Sequence, residues 1–558
     1  MLRSRFRNVS FFLASLLLST TLVLLLLLLT TTQPETVRQL RYSSGDGDSD
    51  SNASNDTHYN IQEQAGRPRP LIDLESSLTF SFKEIHRHGT GQYYEFHQRL
   101  QVSSKLKTDA GLLFEQLLTL PSRDDLWIDH ADYSTDNPFD YNFRLKPRLV
   151  KMKRPHQWGL RDDGMTVLST NPHIDQNGVT LVPPELIDWY DEDVVAPDVT
   201  DRDTVVALAL MSSNAYTKVP GSGEWLNISE PWNGSDSNHF GWDGKGLRGH
   251  VFTDTHDKVV VIAYKGTSTQ GMPGTGKDET SVNDKLNDNL LFSCCCARVS
   301  YLWNTVCDCY LKPNTCDEVC LERELRRKDR YYQAAIDIYR EVRNSYPHSE
   351  IWLTGHSMGG ALASLVGRTF GVPAVTFQAP GELLASRRLH LPFPPGLSPS
   401  LEGVWHFGHT ADPIFLGTCN GASSSCSITG YAMETSCHTG KVCVYNVTGD
   451  KGWHVNVLNH KIRTVIDNVL LAYDKPAVCQ DPEPCIDCSN WEYQANKDIV
   501  ATVPNPDKTF STTTEMQSTA TTGVQSESPT ISTSPTCTGM SWLGFCFDWL
   551  ADSYPVKY

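Results

Sequence analysis

An α/β fold built on a mostly parallel sheet is predicted by three observations. Short β-branched and aromatic runs alternate with helical patterns from Thr200 onward, the signature of strands joined by crossover helices. The apolar run Ile351-Trp352-Leu353-Thr354 ends in Gly355-His356-Ser357-Met358-Gly359. That pentapeptide leads at once into a small-residue stretch of helical character, residues 360–367.

The elements follow in chain order. Residues 205–211 read as a buried helix. Residues 248–252 and 259–264 read as two strands around a turn at Asp254-Thr255-His256-Asp257. Residues 331–342 have helical spacing, and the strand and helix around Ser357 come next. Residues 374–377 and 404–407 read as two more strands, and residues 462–471 close the pattern as a helix. Residues 67–198 contain short extended runs broken by Pro and Trp and receive no independent function.

A strand, then G-x-S-x-G, then a helix is the nucleophile elbow of the α/β-hydrolase fold. Gly355 and Gly359 are needed because Cβ atoms there would collide as strand and helix converge. Ser357 is therefore the expected nucleophile, and it needs a base, an acid to orient the base, and an oxyanion hole. In this fold the acid and then the base follow the serine in the chain. Asp412 lies just past the end of the 404–407 strand, on the sheet edge that carries the elbow, and Pro413 stops the strand there. His438, His454 and His460 follow. His460 precedes the closing helix in a loop and is the expected base, His454 lies in a short strand or turn, and His438 between Cys437 and Cys443 reads as structural. The backbone N–H of Met358, at the helix N-terminus, and that of Thr267, at the exit of the 259–264 strand, are the expected oxyanion donors, with Gly266 allowing close approach.

The ends of the chain set its compartment. Residues 9–29 carry no charge, are mostly apolar, and at about 1.5 Å per residue reach roughly 30 Å, enough to cross a bilayer. Arg3, Arg5 and Arg7 precede them and no further Arg or Lys appears before Arg38, so the positive-inside rule leaves residues 1–8 in the cytosol and the remainder across the membrane. The apolar run is long for a cleaved signal peptide and lacks a clear A-x-A site. All 16 cysteines lie at or beyond Cys294, and their spacing fits no zinc pattern, so they read as disulfides of unassigned pairing. Asn52, Asn55, Asn227, Asn233 and Asn446 stand in glycosylation acceptors. The net charge of −17, with no basic stripe, excludes nucleic acid as a partner class, and no cofactor or metal is called for.

The domain reading is a cytosolic start at 1–8, a membrane anchor at 9–29, a luminal linker at 30–66 and a luminal body at 67–490 with its core at about 200–475. A disordered Ser/Thr-rich stalk at 491–536 and a Cys- and aromatic-rich segment at 537–558 complete it.

Several blocks carry a family resemblance: Lys265-Gly266-Thr267, residues 355–363, Phe240-Gly241-Trp242, Leu247-Arg248-Gly249-His250, residues 289–295 and His409-Thr410-Ala411-Asp412-Pro413-Ile414. Together they resemble the class 3 lipases, and within them the vacuolar autophagy-related lipases of fungi. The resemblance spans roughly residues 60–490. It implies a lipase with phospholipase activity, acting on membrane phospholipids and neutral glycerolipids, that travels through the Golgi and multivesicular endosomes to the vacuole and lyses autophagic bodies and intravacuolar vesicles there. By motif position it places the nucleophile at Ser357, the acid at Asp412 and the base at His460. It also implies a lid after the oxyanion strand, at residues 270–291, hinged at Gly271, Gly274 and Gly276. Two other classes compete with this reading: an esterase or peptidase on the same fold, and a catalytically silent luminal adhesion protein.

The topology is testable. With an uncleaved anchor, endoglycosidase treatment increases gel mobility and a tag placed before Met1 stays on the membrane-bound chain; loss of the tag on translocation would mean a cleaved signal instead.

Overall fold

Among the described residues, eleven strands form one sheet: β1 (Leu78–Gly89), β2 (His97–Gln101), β3 (Asn142–Leu145), β4 (Leu226–Asn227), β5 (Gly246–Asp254), β6 (Val259–Tyr264), β7 (Glu350–His356), β8 (Ala374–Phe377), β9 (Val404–His409), β10 (Lys441–Tyr445) and β11 (Cys479–Gln480). The structure, a computed structural model, describes residues 70–109, 111, 139–155, 167–168, 181–182, 189–217, 226–228, 246–268, 281–298, 305–391, 393, 398–421, 423–494, 537–540 and 546–549. Strand order is β11-β10-β9-β8-β7-β6-β5-β1-β2-β4, with β3 paired to the start of β1.

The sheet is mixed, which corrects the expectation of a mostly parallel one. Only β6 to β10 run parallel. Every other pairing in the sheet is antiparallel. Connection length is the cause. β5 and β6 are joined by a tight turn in which Asp254 Oδ1 accepts the Val259 N–H at 2.7 Å, and a tight turn permits only an antiparallel pair. The strands from β6 to β9 are separated by helical crossovers. Residues 67–198, which received no function, supply β1, β2 and β3.

Helices among the described residues include α1 (Arg202–Asn214), α2 (Ser281–Leu291), α3 (Tyr331–Ser345), α4 (Met358–Phe370), α5 (Leu383–Arg388) and α6 (Ile462–Val465), the last continuing through a single wide turn, Ile466–Leu470. β6 is apolar at every position because both of its faces are covered. Val259, Val261 and Ala263 join one core with Val205 and Leu208 of α1 and Ile462 and Val465 of α6. Val260, Ile262 and Tyr264 join the other with Ala335 and Ile338 of α3 and Ala361 and Leu365 of α4. This two-residue alternation sandwiches the sheet between helical layers. Asp201 starts α1 by accepting the Thr204 N–H at 2.9 Å.

Among the described residues, the cysteine reading corresponds to seven disulfides. Three tie the 295–320 segment to itself: Cys295–Cys316, Cys296–Cys307 and Cys309–Cys320. Cys419–Cys426 closes a short loop. Cys294–Cys488, Cys437–Cys485 and Cys443–Cys479 anchor the C-terminal end of the body. Glu492–Gln494, expected to begin the stalk, instead pairs with Thr315–Asp317. Cys537–Met540 and Cys546–Trp549 form a separate antiparallel pair. No helix among the described residues is long and apolar enough to cross a membrane. Residues 9–29, the 30–66 linker and residues 495–536 lie outside the described residues.

His250 on β5 gives the fold a pH dependence. It is buried, stacks on Phe82 with ring centroids 4.7 Å apart, and donates from one ring nitrogen to Asn214 Oδ1 at 2.7 Å. Burial first, and then the charge of Arg248, hold its pKa well below the usual imidazole value. The unfolded chain takes up a proton near pH 6.5 that the folded chain refuses, so the stability is present above that pH and is lost as pH falls below it. Relative to His250→Phe, the parent should lose up to about 1.4 kcal/mol per pH unit below about pH 6.5. Chemical denaturation at about pH 7.5 and about pH 5.5 measures this, and parallel profiles for the two chains would exclude it.

Candidate active site

β7 turns into α4 through Ser357, whose backbone has φ 58° and ψ −134°. A non-glycine residue in that region costs on the order of 1–3 kcal/mol and persists only where its surroundings enforce it. Here the main chain does so. Ser357 N–H donates to Phe377 O at 3.0 Å, and Gly360 and Ala361 donate back to Ser357 O at 2.9 and 3.1 Å. Three glycines allow the approach. A Cβ on Gly355 would lie 2.4 Å from the carbonyl carbon of Gly359, one on Gly359 would lie 2.2 Å from Tyr264 O, and one on Gly266 would lie 2.2 Å from His356 O. The collision expected at Gly355 and Gly359 is thus a backbone collision.

His460 and Asp412 come to this serine from separate loops. His460 Nε2 lies 2.8 Å from Ser357 Oγ, and its Nδ1 lies 2.7 Å from Asp412 Oδ2. Asp412 is fully buried, and Ser357 and His460 are nearly so. Beside the carboxylate the imidazole carries its proton on Nδ1, which leaves Nε2 to accept from the serine hydroxyl. Asp412 Oδ1 also accepts the Ile414 N–H at 2.9 Å. The two loops are stitched together. His409 Nε2 donates to Asn459 O at 3.1 Å and its Nδ1 accepts the Ala411 N–H at 3.2 Å, while Asn456 N–H donates to Ala411 O at 3.1 Å. His454 is exposed, and His438 is buried away from the serine.

His356 and Tyr216, to which the sequence reading gave no role, hold His460 from behind. His356 Nε2 donates to the His460 carbonyl at 2.8 Å. Its Nδ1 is then the acceptor, and the Tyr216 hydroxyl donates to it at 2.9 Å. Burial keeps the His356 pKa well below the usual imidazole range, so it stays neutral and this donor pattern is the stable one.

Met358 opens α4, so its N–H is one of those with no partner inside the helix. Thr267 lines the same cleft as Ser357, and its hydroxyl donates to Asp288 on α2. Burial, reinforced by nearby Asp284, pushes the Asp288 carboxyl well above its usual range. α2 belongs to the C-terminal half of the expected lid, and that half departs from the reading. Its polar residues are anchored in protein: Asp284 accepts from Ser268 N–H at 2.8 Å and from the Tyr331 hydroxyl at 2.6 Å, Asn287 accepts the Tyr331 N–H at 2.9 Å, and Asn289 accepts the Ala432 N–H at 2.7 Å. Residues 270–280, with the three hinge glycines, lie outside the described residues. Asp288 carried no signal in the sequence, because its partner Thr267 is reached only through the fold.

The cleft over Ser357 measures ≈ 730 Å³ including its open mouth, and its walls are largely apolar: Ile414, Met433, Val457 and Tyr431. Lys461 stands at its edge beside His460. A cleft of this kind takes an apolar chain and presents its polar end to Ser357. Of the glycosylation acceptors, Asn446 is exposed, Asn227 lies on strand β4, and Asn52, Asn55 and Asn233 lie outside the described residues.

Comparison with known proteins adds three findings. A model described as phospholipase-like, the Tle-like phospholipase domain, matches residues 320–387. The chain is 54% identical over 482 residues to "Putative lipase ATG15" of Saccharomyces cerevisiae, covering 86% of this chain and 90% of that protein. It is 53% identical over 494 residues to the protein of the same name from Kluyveromyces lactis, covering 85% and 89%. Against the crystal structure of a lipase from Rhizopus microsporus var. chinensis the identity is 13%, with 36% of this chain and 57% of that chain covered at a TM-score of 0.18, too low to carry weight.

The backbone contact at Gly359 sets a direct test of the elbow. Its Cβ position lies 2.2 Å from Tyr264 O and 2.7 Å from the Lys265 carbonyl carbon, neither of which can swing aside. Gly359→Ala should destabilise the fold by about 1–3 kcal/mol or more, read as a lowered thermal midpoint; an unchanged midpoint would mean that strand and helix do not meet this closely.

Proposed function

Because this chain belongs to the ATG15 family of fungal lipases, we propose that it hydrolyses acyl ester bonds of membrane glycerolipids with Ser357 as nucleophile, His460 as base and Asp412 as the acid that orients it. The observation that carries this reading is the unbroken chain of hydrogen bonds from Asp412 through His460 to Ser357, lying under a cleft with mostly apolar walls.

The steps follow from the geometry. Ser357 Oγ attacks the acyl carbonyl as His460 Nε2, 2.8 Å away, takes its proton. Asp412 stabilises the imidazolium that forms and keeps the ring from turning away, while the His356 bond to the His460 carbonyl holds the backbone of the base in place. The N–H groups of Met358 and Thr267 stabilise the oxyanion; each donor of this kind is worth roughly two to three powers of ten in rate. With its hydroxyl committed to Asp288, Thr267 is held so that the main-chain N–H is what it offers. His460 then returns the proton to the leaving alkoxide, and water repeats the sequence on the acyl-enzyme. The acyl chain occupies the apolar walls during both steps.

Anchoring through residues 9–29 in the type II sense, glycosylation of the luminal acceptors and delivery to the vacuole, where the enzyme lyses autophagic bodies and multivesicular-body vesicles, belong to the same proposal. The uncharged apolar run and the arginines that precede it support the topology.

The deciding experiment incubates the purified chain with mixed phospholipid and triacylglycerol vesicles and identifies the released fatty acids and lysolipids by mass spectrometry. Ser357→Ala should lower the rate by about four to six powers of ten, with His460→Ala falling to nearly the same residue because members of one catalytic unit are not additive. His454→Ala should stay within about tenfold of the parent. Undiminished hydrolysis by Ser357→Ala would end this reading.

A further inference from the structure

A second cluster of chemistry-bearing side chains lies inside the body, apart from Ser357. Glu382, just before α5, and His406, on β9, are completely buried, and His438, in the loop before β10, is almost so. Glu382 Oε1 accepts three bonds, from Ser364 Oγ at 2.9 Å, Thr439 N–H at 3.1 Å and Thr439 Oγ1 at 2.5 Å. Three buried atoms around it make no hydrogen bond: Glu382 Oε2, His406 Nε2 and His438 Nδ1. These atoms face one another. His406 Nε2 lies 3.1 Å from Glu382 Oε1 and His438 Nδ1 lies 3.5 Å from Glu382 Oε2, and the three donor groups fall within 4.8 Å of one another.

The outer nitrogens of both rings are already committed. His438 Nε2 can only donate to the Phe415 carbonyl, at 3.1 Å, which leaves Nδ1 as a bare lone pair in the neutral ring. His406 Nδ1 meets Thr376 Oγ1 at 2.7 Å. This is the outer arrangement of metal-bound imidazoles, in which the second nitrogen is held by a carbonyl or hydroxyl so that the first points at the ion. A lone pair facing a buried carboxylate oxygen is repulsive without a cation between them. Protons on the facing nitrogens are one way to satisfy these atoms; a single divalent ion held by Glu382 Oε2, His406 Nε2 and His438 Nδ1 is the other, and it satisfies all three at once. Bonds of about 2.0–2.2 Å to nitrogen and oxygen in tetrahedral geometry put ligand atoms roughly 3.3 Å apart; the 3.5 Å between His438 Nδ1 and Glu382 Oε2 is close to that value, and the three donor groups all lie within 4.8 Å of one another.

We propose that Glu382, His406 and His438 bind one zinc-class divalent ion, with the fourth coordination position left to water. Two imidazoles and one carboxylate are a borderline-soft donor set that suits zinc over calcium or magnesium. The ion is structural, since the site is closed from the cleft. It joins the approach to α5, strand β9 and the 430–439 loop. The His438 ring stacks on Phe415 at 4.6 Å between centroids, next to Ile414, which lines the cleft and binds Asp412 through its N–H. The same loop carries the cleft residues Tyr431 and Met433. Nothing in the spacing of the three ligands forms a short motif, which is why the sequence called for no metal.

The test uses the full chain, purified without a polyhistidine tag from a secretory host supplied with zinc and washed with chelator. Elemental mass spectrometry should find about one zinc per chain, and chains folded in the presence of cobalt should show the visible absorption of four-coordinate Co²⁺. Thr376→Val keeps the side-chain shape but removes the partner of His406 Nδ1, and should weaken zinc affinity about 10- to 100-fold, measured by competition with a zinc-binding dye. The double change His406→Gln and His438→Gln should lower retained zinc at least about tenfold. Should that double variant fail to fold, the parent stoichiometry and the Thr376→Val affinity decide the matter. Less than about 0.1 zinc per parent chain, zinc that persists in the folded double variant, or equal affinity of Thr376→Val and parent would each overturn the site, the second of these marking an adventitious ion only.

Discussion

The main-chain crossing at Ser357 is the constraint on which the rest of this molecule depends. β6, the exit of that strand at Gly266, the end of β7 and the first turn of α4 meet through backbone atoms, and three glycines leave no side chain between them. The position of Ser357 is therefore set by peptide geometry and not by side-chain packing, which can relax. Its unusual backbone angles are held by hydrogen bonds to Phe377 on the neighbouring strand and within α4. A serine fixed this way is a reference point against which the loops of Asp412 and His460 are aligned.

The loops are aligned by relays of neutral and charged hydrogen bonds. His356 sits next to the nucleophile in the chain yet reaches across to the backbone of His460, so the serine and its partner are registered through one side chain. His409 does the same between the loops of Asp412 and His460. On the other wall, Asp288 and Asp284 tie α2 to the strand exit that carries Thr267 and Ser268. Beneath the 430–439 loop, Glu382, His406 and His438 form a third polar junction. Each junction is buried and each relies on residues far apart in the chain, so the loops around Ser357 are held at several points by side chains from distant parts of the sequence.

Where sequence patterns were misleading, buried polar residues were the reason. β1 was not legible because Glu84, His86 and His88 point inward and are satisfied by one another and by His97, Tyr346 and Asp337, so its hydropathy does not alternate as a strand should. The 281–291 half of the expected lid has the mixed composition of a surface segment, yet Asp284, Asn287, Asp288 and Asn289 are all buried against partners on other elements. The parallel character of the sheet was overstated because the crossover segments from residue 259 onward dominate the pattern, while the antiparallel half is built largely from the segment that could not be read.

What the sequence determined by itself is local. The elbow at residues 355–359, the paired strands around Asp254, and the alternation of β6 depend on residues a few positions apart, whose sterics and periodicity act within one turn or one strand. The candidates for acid and base were also bounded, because the order of elements places Asp412 and the later histidines beyond the elbow. Only the tertiary structure decided that His460, and not His454, lies beside Ser357, that Tyr216 and His356 stand behind it, and that Glu382, His406 and His438 share one buried point. The physical reason is that a buried polar group must be satisfied, and the partner that satisfies it is chosen by strand order across the sheet, which the spacing of residues along the chain does not encode.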